Sequence, residues 1–206
     1  MRKSSGLLKN EFARSAAGRP KTRFFAMDEA RFGLKVWHRR RWCPRGHRPP
    51  WTVEDRYEWL WLYAAVEPST GESFCLYMPH LNGDCFEAFL RELRQAYPED
   101  EIVLVLDGAG AHFKKDLVWP EGIEAMKLPP YSPELNPAER WFEELRARFS
   151  NSIYETIQAM EEALTEPLRP FWGAPERLAQ LTGYEWWVES IGKMPTSYDR
   201  FRMRAC

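Results

Sequence analysis

Residues 128–145 read LPPYSPELNPAERWFEEL. Four prolines stiffen the first ten positions of this stretch, and a helix start follows. Asn136 is a good N-cap, and Pro137 suits the first helical position because its missing N–H is not needed there. Trp141, Leu145 and Phe149 then fall on one face, so the spacing predicts a helix from Pro137 to about Phe149. Glu139 is the third helical residue. Asn-x-x-Glu has the form of a capping box, and a negative charge suits the positive end of the helix dipole. Taken alone, capping accounts for Glu139, and only the rest of the chain decides whether its carboxylate has another task.

Upstream, short apolar runs at 22–27, 33–37, 59–67, 72–78, 101–106 and 123–128 read as strands. The run at 22–27 stops at Asp28, and a turn at Gly33 opens the next. The run at 59–67 is apolar enough to be central in a sheet. Phe86, Phe89, Leu90, Leu93 and Tyr97 recur at helical spacing, predicting a helix over 84–97. GAGAHFKKDL (108–117) begins as a glycine loop and leads into a short helix. A further helix is expected over 153–166. Beyond it, Pro170, Gly173, Pro175, Gly183, Gly192 and Pro195 break the chain. An antiparallel set followed by β–α–β–α is an α/β or α+β pattern.

The 206 residues suffice for one domain with a sizeable core, and 44% of them are hydrophobic. Ten tryptophans suit a thick core or stacking surfaces. No apolar run approaches the roughly 20 residues of a membrane span, and the basic N-terminus lacks the apolar stretch of a secretory signal. Cys43, Cys75, Cys85 and Cys206 show no CxxC pairing and are expected as reduced thiols in the cytoplasm. The net charge of −1 conceals an asymmetry: residues 1–56 hold 15 Lys+Arg against 5 Asp+Glu, and residues 57–206 hold 14 against 25. A basic end on an acidic body fits either a polyanion partner or a solvated tail.

Asp28 and Asp107 each directly follow an apolar run. On parallel neighbouring strands their carboxylates would meet at one sheet edge, where ligand sites of open sheets form. Close carboxylates repel unless a proton or cation lies between them, and oxygen ligands suit Mg²⁺ or Mn²⁺. The alternative is two turn residues.

MDEARFGL (27–34), VLDGAGAH (105–112) and PPYSPELNPAERWF (129–142) resemble the three catalytic blocks of DDE-superfamily transposases, most closely the mariner-like bacterial insertion-sequence group. WCPRGHRPP (42–50) resembles the turn between the first two blocks. The resemblance covers roughly residues 23–150, and the third block is its most specific part. It implies an α/β, ribonuclease H-like fold: a mixed five-stranded sheet flanked by helices, with a helical C-terminal tail. It divides the chain into a basic linker or arm (1–20), a catalytic domain (21–166) and a C-terminal extension (167–206). It makes Asp28, Asp107 and Glu139 the catalytic and metal-binding residues. Glu143, one turn on, is the competitor for the third place, because only 31 residues separate Asp107 from Glu139. The implied reaction is metal-dependent DNA cleavage and strand transfer on two Mg²⁺ or Mn²⁺ ions about 3.5–4 Å apart, with Asp28 bridging them.

The implied partners are DNA, as element ends and target, and a second copy of the chain on that DNA. A separate helix-turn-helix polypeptide from an upstream frame is also expected, because only about 20 residues precede the catalytic blocks. No membrane is involved, and the implied location is the bacterial cytoplasm, in association with the nucleoid. A catalytically idle DNA-binding module and a ribonuclease H-type nuclease are the alternative readings.

Arg39, Arg40, Arg41, Arg45 and Arg48 form a loop suited to DNA phosphates. Trp37 and Trp42 flank it and are expected in the core, with stacking on unpaired bases as the alternative. His38, Cys43 and His47 fit no standard zinc spacing. His112 contacts a phosphate, orients a ligand or caps the short helix. Glu29 is expected on the sheet face opposite Asp28, in a supporting or structural role.

Overall fold

The computed structural model describes residues 22–40, 42–47, 53–113 and 116–192. The arm at 1–20, Arg41 and Arg48 lie outside them. Five strands form one sheet in the order β3-β2-β1-β4-β5: β1 (Thr22–Gly33), β2 (Trp59–Val66), β3 (Ser73–Met78), β4 (Glu101–Leu106) and β5 (Ile123–Lys127). β1 pairs antiparallel with β2, and β2 with β3, whereas β4 is parallel to β1 and to β5. This mixed order is that of a ribonuclease H-like fold.

Two readings of β1 are corrected. The strand does not stop at Asp28, because its antiparallel ladder with β2 continues from Ala26–Val66 to Gly33–Trp59. Only the parallel ladder with β4 stops, at Ala26–Val105. There is also no new strand over 33–37. Gly33 ends β1 without a positive φ. Its lack of a side chain instead admits Glu58, whose carbonyl oxygen would lie 3.0 Å from a Cβ there.

Side chains alternate across β1, so the sheet carries two apolar layers. Phe25 and Met27 pack with Tyr63, Leu104 and Leu106 against Phe86, Phe89, Leu90 and Leu93 of α1 (Gly83–Ala96). Phe24, Ala26, Ala30 and Phe32 face the other way. They share a core with α2 (Pro137–Phe149), α3 (Ile157–Gly173), α4 (Pro175–Thr182) and α5 (Glu185–Gly192). Trp141, Leu145, Leu164, Leu168, Leu178 and Trp187 are among its buried helical members. Residue 166, the expected end of the catalytic domain, falls inside α3. That helix carries Pro167 and Pro170 without breaking, and Leu168 and Phe171 bury themselves on the sheet.

The far end of the sheet is tied by Arg23, only 17% exposed. Its guanidinium binds Glu67 at 2.7 Å, Asp100 at 3.2 Å and Glu72, and lies over the Phe25 and Tyr97 rings. It joins the starts of β1 and β4 to the β2–β3 turn. No helix among the described residues is long and apolar enough to cross a membrane.

Candidate active site

The site lies where β1 and β4 part. Continuing their register beyond Ala26–Val105 sets Asp28 level with Asp107 on the neighbouring strand. The Met27 carbonyl, just before Asp28, has lost its place in the parallel ladder. Asn136 takes it over. Its Nδ2 donates to Met27 O at 3.0 Å, and its Oδ1 accepts the Ala138 N–H at 3.1 Å. One buried side chain therefore caps α2 and ties that cap to the residue preceding Asp28. The preceding short 3-10 turn, Pro133–Leu135, also fixes the cap, because the Asn136 N–H donates to Pro133 O at 2.9 Å. Since that N–H is occupied, Glu139 does not close a capping box. Its Oε2 instead meets Arg146 Nη1, two turns along α2, at 3.3 Å.

Asp28 carries the mark of its neighbours. Burial first, then the charges of Glu139, Glu29 and Asp107, push its pKa up to about 8, against a partial offset from the Glu29 N–H it accepts at 2.8 Å. Of the charges that act on Asp28, that of Glu139 is the largest, whereas Glu143, one turn on, is exposed. Asp107 is held the other way: the hydrogen bond from His112 draws its pKa below the ordinary carboxylate value. Its Oδ1 accepts the Ala109 N–H at 2.9 Å and lies 3.1 Å from His112 Nδ1.

Each of the three carboxylates thus has one oxygen engaged, at Glu29 N, Ala109 N or Arg146. The second oxygen of each accepts no hydrogen bond among the described residues. The three share one end of the sheet, but no three His, Cys, Asp or Glu side chains among the described residues have the spacing of a formed metal site.

His112 is 1% exposed, and its ring lies 4.6 Å from that of Phe86. It is therefore turned away from any incoming phosphate. Nε2 binds Glu29 Oε1 at 2.8 Å while Nδ1 faces Asp107. Burial opposes the charged imidazole, but the two carboxylates outweigh it and push its pKa up to about 10. Arg146 and the pairing of Glu29 with His112 were not foreseen from sequence. The i, i+7 spacing from Glu139 was the available signal for Arg146.

The basic loop meets the C-terminal end of α2. Asn151, just past that helix, donates its N–H to Trp37 O at 2.9 Å and accepts the Arg39 N–H at 3.2 Å. Arg39, Arg40 and Arg45 are exposed. Trp37 is 56% exposed and Trp42 wholly so, which corrects their expected core placement. The core is already filled by Trp141 and Trp187. Cys43 Sγ donates to His47 O at 3.2 Å, an arrangement of a turn rather than of a zinc site.

Residues 23–161 match the model of the DDE superfamily endonucleases. The chain belongs to this family. A DDE-superfamily chain of this kind also has a curated relative, the uncharacterised protein y4pE/y4sA of Sinorhizobium fredii. The two are 34% identical over 99 residues, 47% of this chain and 73% of that protein. Among solved structures, this DDE-superfamily fold is similar to the Mos1 transposase paired-end complex with left transposon end. That match has TM-score 0.58 and 16% identity over 93% of this chain and 61% of that one. A pre-cleavage Mos1 transpososome matches with TM-score 0.61 and 13% identity, over 96% and 62%. The mariner Mos1 paired end complex with Mg matches over 93% and 61%, with TM-score 0.56 and 17% identity. At these identities the likeness establishes the fold. The chain spans about three-fifths of the length of the Mos1 chains it matches.

Proposed function

We propose that this chain is the catalytic part of an insertion-sequence transposase, cutting DNA strands and joining them to a target with the help of Mg²⁺ or Mn²⁺. The observation that supports the reading is the tie from Asn136 to Met27, which joins the start of α2, with Glu139 in its first turn, to β1 next to Asp28, the residue level with Asp107. The donor set fits a hard divalent cation. It is all oxygen, one oxygen of each carboxylate takes no hydrogen bond from the described residues, and the burial and repulsion that raise the Asp28 pKa to about 8 are what a cation would offset. Asp28, Asp107 and Glu139 would hold the ion or pair of ions. When bound, such ions polarise the phosphate and lower the pKa of an attacking water or 3′-hydroxyl.

The chain's own groups do the rest. Arg146, beside Glu139, is placed to offset charge on a phosphate next to the carboxylates. Arg39 and Arg40 extend the positive surface from the C-terminal end of α2, with Arg41, Arg45 and Arg48 in the same loop. Trp42 and Trp37 offer exposed rings on which unpaired bases can stack. Solved Mos1 complexes hold transposon ends and include forms with Mn and with Mg, which supports DNA and a divalent cation here. Action on nucleoid DNA in the bacterial cytoplasm, as a homodimer and with a separate helix-turn-helix polypeptide, belongs to the same reading.

The test is nicking of supercoiled plasmid by the 206-residue chain with Mg²⁺, Mn²⁺ or EDTA, alongside Asp107→Asn. Nicking that needs the cation and is lost in the variant is expected. A variant as fast as the parent removes Asp107 from the chemistry.

A further inference from the structure

The proposed site leaves one pair of charges unexplained. Glu29 and His112, 83 residues apart in sequence, meet at 2.8 Å on the sheet face opposite Asp28. They are 5% and 1% exposed, with the His112 ring against Phe86 on the side of the sheet that carries Phe89, Tyr63 and Met27. Burying an ionic pair in such surroundings is a poor way to gain stability, because two well-packed apolar side chains of similar volume serve as well or better. An apolar pair lacks direction. With Nε2 held by Glu29, the imidazole cannot turn, and Nδ1 is delivered to Asp107 at 3.1 Å. Asp107 needs such help, since it stands at a strand end with its side chain 57% exposed. His112 and the Ala109 N–H both engage Oδ1, so the carboxylate plane is set and Oδ2 is left without a hydrogen bond from the described residues.

We propose that Glu29 is a positioning residue: acting through His112 across the sheet, it fixes the Asp107 carboxylate for cation binding. The inference rests on the metal-site reading of Asp28, Asp107 and Glu139. Groups that orient metal ligands typically alter metal affinity by about 10–100-fold when removed.

The test is a titration of the 206-residue chain with Mn²⁺, followed by the rise in its melting temperature, for the parent, Glu29→Met, Glu29→Gln, His112→Gln and Asp107→Asn. Methionine keeps the length of Glu29 but cannot accept the Nε2 proton, whereas glutamine can. Glu29→Met should raise the Mn²⁺ midpoint about tenfold or more, and Glu29→Gln should recover most of that loss. DNA affinity in EDTA should be unchanged in both, a pattern that loss of packing alone does not produce. A folded Glu29→Met with the parental midpoint overturns the proposal. Should that variant fail to fold, His112→Gln decides, because it leaves only one short amide to serve two carboxylates. A parental midpoint there overturns the proposal equally, and a raised one supports it. Asp107→Asn separates the two levels. If it too titrates like the parent, the metal site itself is misplaced; if it alone loses the response, only the role of Glu29 is wrong.

Discussion

Asp28 shows how a cluster of carboxylates works against folding. Its ordinary carboxyl pKa of 3.8 is pushed up to about 8 by burial and by Glu139, Glu29 and Asp107. The folded protein therefore retains a proton that the unfolded chain releases. This contribution to stability is complete below pH 3.8 and is lost as the pH rises through about 8. Asp28→Asn keeps the acceptor for the Glu29 N–H and cannot ionise. In EDTA the variant should gain on the parent steadily from pH 4 to 8 and hold a constant lead above that. Each ~1 kcal/mol of that lead corresponds to about 2–4 °C for a chain of this size. Melting curves across that range check it, and parallel curves would show that Asp28 is not charged at the expense of the fold. The same variant should not nick DNA. At this scale the sequence was legible where residues sit in blocks: it named Asp28, Asp107 and Glu139 as candidates, and the fold sets Asp28 level with Asp107 and makes Glu139 the leading charge on Asp28. The Glu29–His112 pair could not, because its members are 83 residues apart and meet only once β1 and the turn after β4 pack against α1. Trp37 and Trp42 were misplaced because a tryptophan's size says nothing about which side of a loop it occupies.

The start of α2 is the element on which the site depends. Prolines 129, 130, 133 and 137 limit the approach, and Asn136 joins cap to strand through two hydrogen bonds. Those bonds are separable. Asn136→Asp keeps the acceptor for Ala138 N–H but loses the donor to Met27 O, whereas Asn136→Ala loses both. The alanine variant should lose about 0.5–2 kcal/mol from the cap alone. Both should slow cleavage at saturating Mn²⁺, by up to about 10²-fold if Glu139 is displaced by about 1 Å. Single-turnover cleavage and chemical denaturation check this, and full activity in Asn136→Asp would show that the tie to Met27 does not position Glu139. The N-cap was readable from Asn-Pro; its second bond was not, because the free carbonyl exists only where β1 leaves β4. β1 reads too short in sequence, because a polar Asp-Glu pair interrupts its apolar run, yet its ladder with β2 continues to Gly33. The boundary expected at 166 reflects prolines that α3 absorbs.

Across the whole molecule, the candidate carboxylates and the ion pairs of Arg23 sit at opposite ends of the sheet. Arg23 belongs to the basic end of the sequence, but its charge is spent on Glu67, Glu72 and Asp100 and is not available to DNA. Arg23→Met should cost roughly 2–4 kcal/mol, toward the low side for a broken ion pair because Glu72 is half exposed. It should leave DNA affinity unchanged below the melting range, as filter binding at 10 °C would show. Arg39 and Arg40 should behave in the opposite manner. Replacing both with alanine should leave stability unaltered and lower the slope of log affinity against log salt by about one per arginine. An unchanged slope would take the basic loop out of the DNA path. The charge asymmetry was thus visible in sequence, but the division of its arginines between fold and partner required the packing. The central claim is that one cation site unites β1, β4 and α2, and a crystal of the chain soaked in Mn²⁺ tests it most directly. Anomalous density bounded by oxygens of Asp28, Asp107 and Glu139, with Glu139 released from Arg146, is the expected result. Density elsewhere, or Glu139 still paired with Arg146 at saturating Mn²⁺, would contradict it.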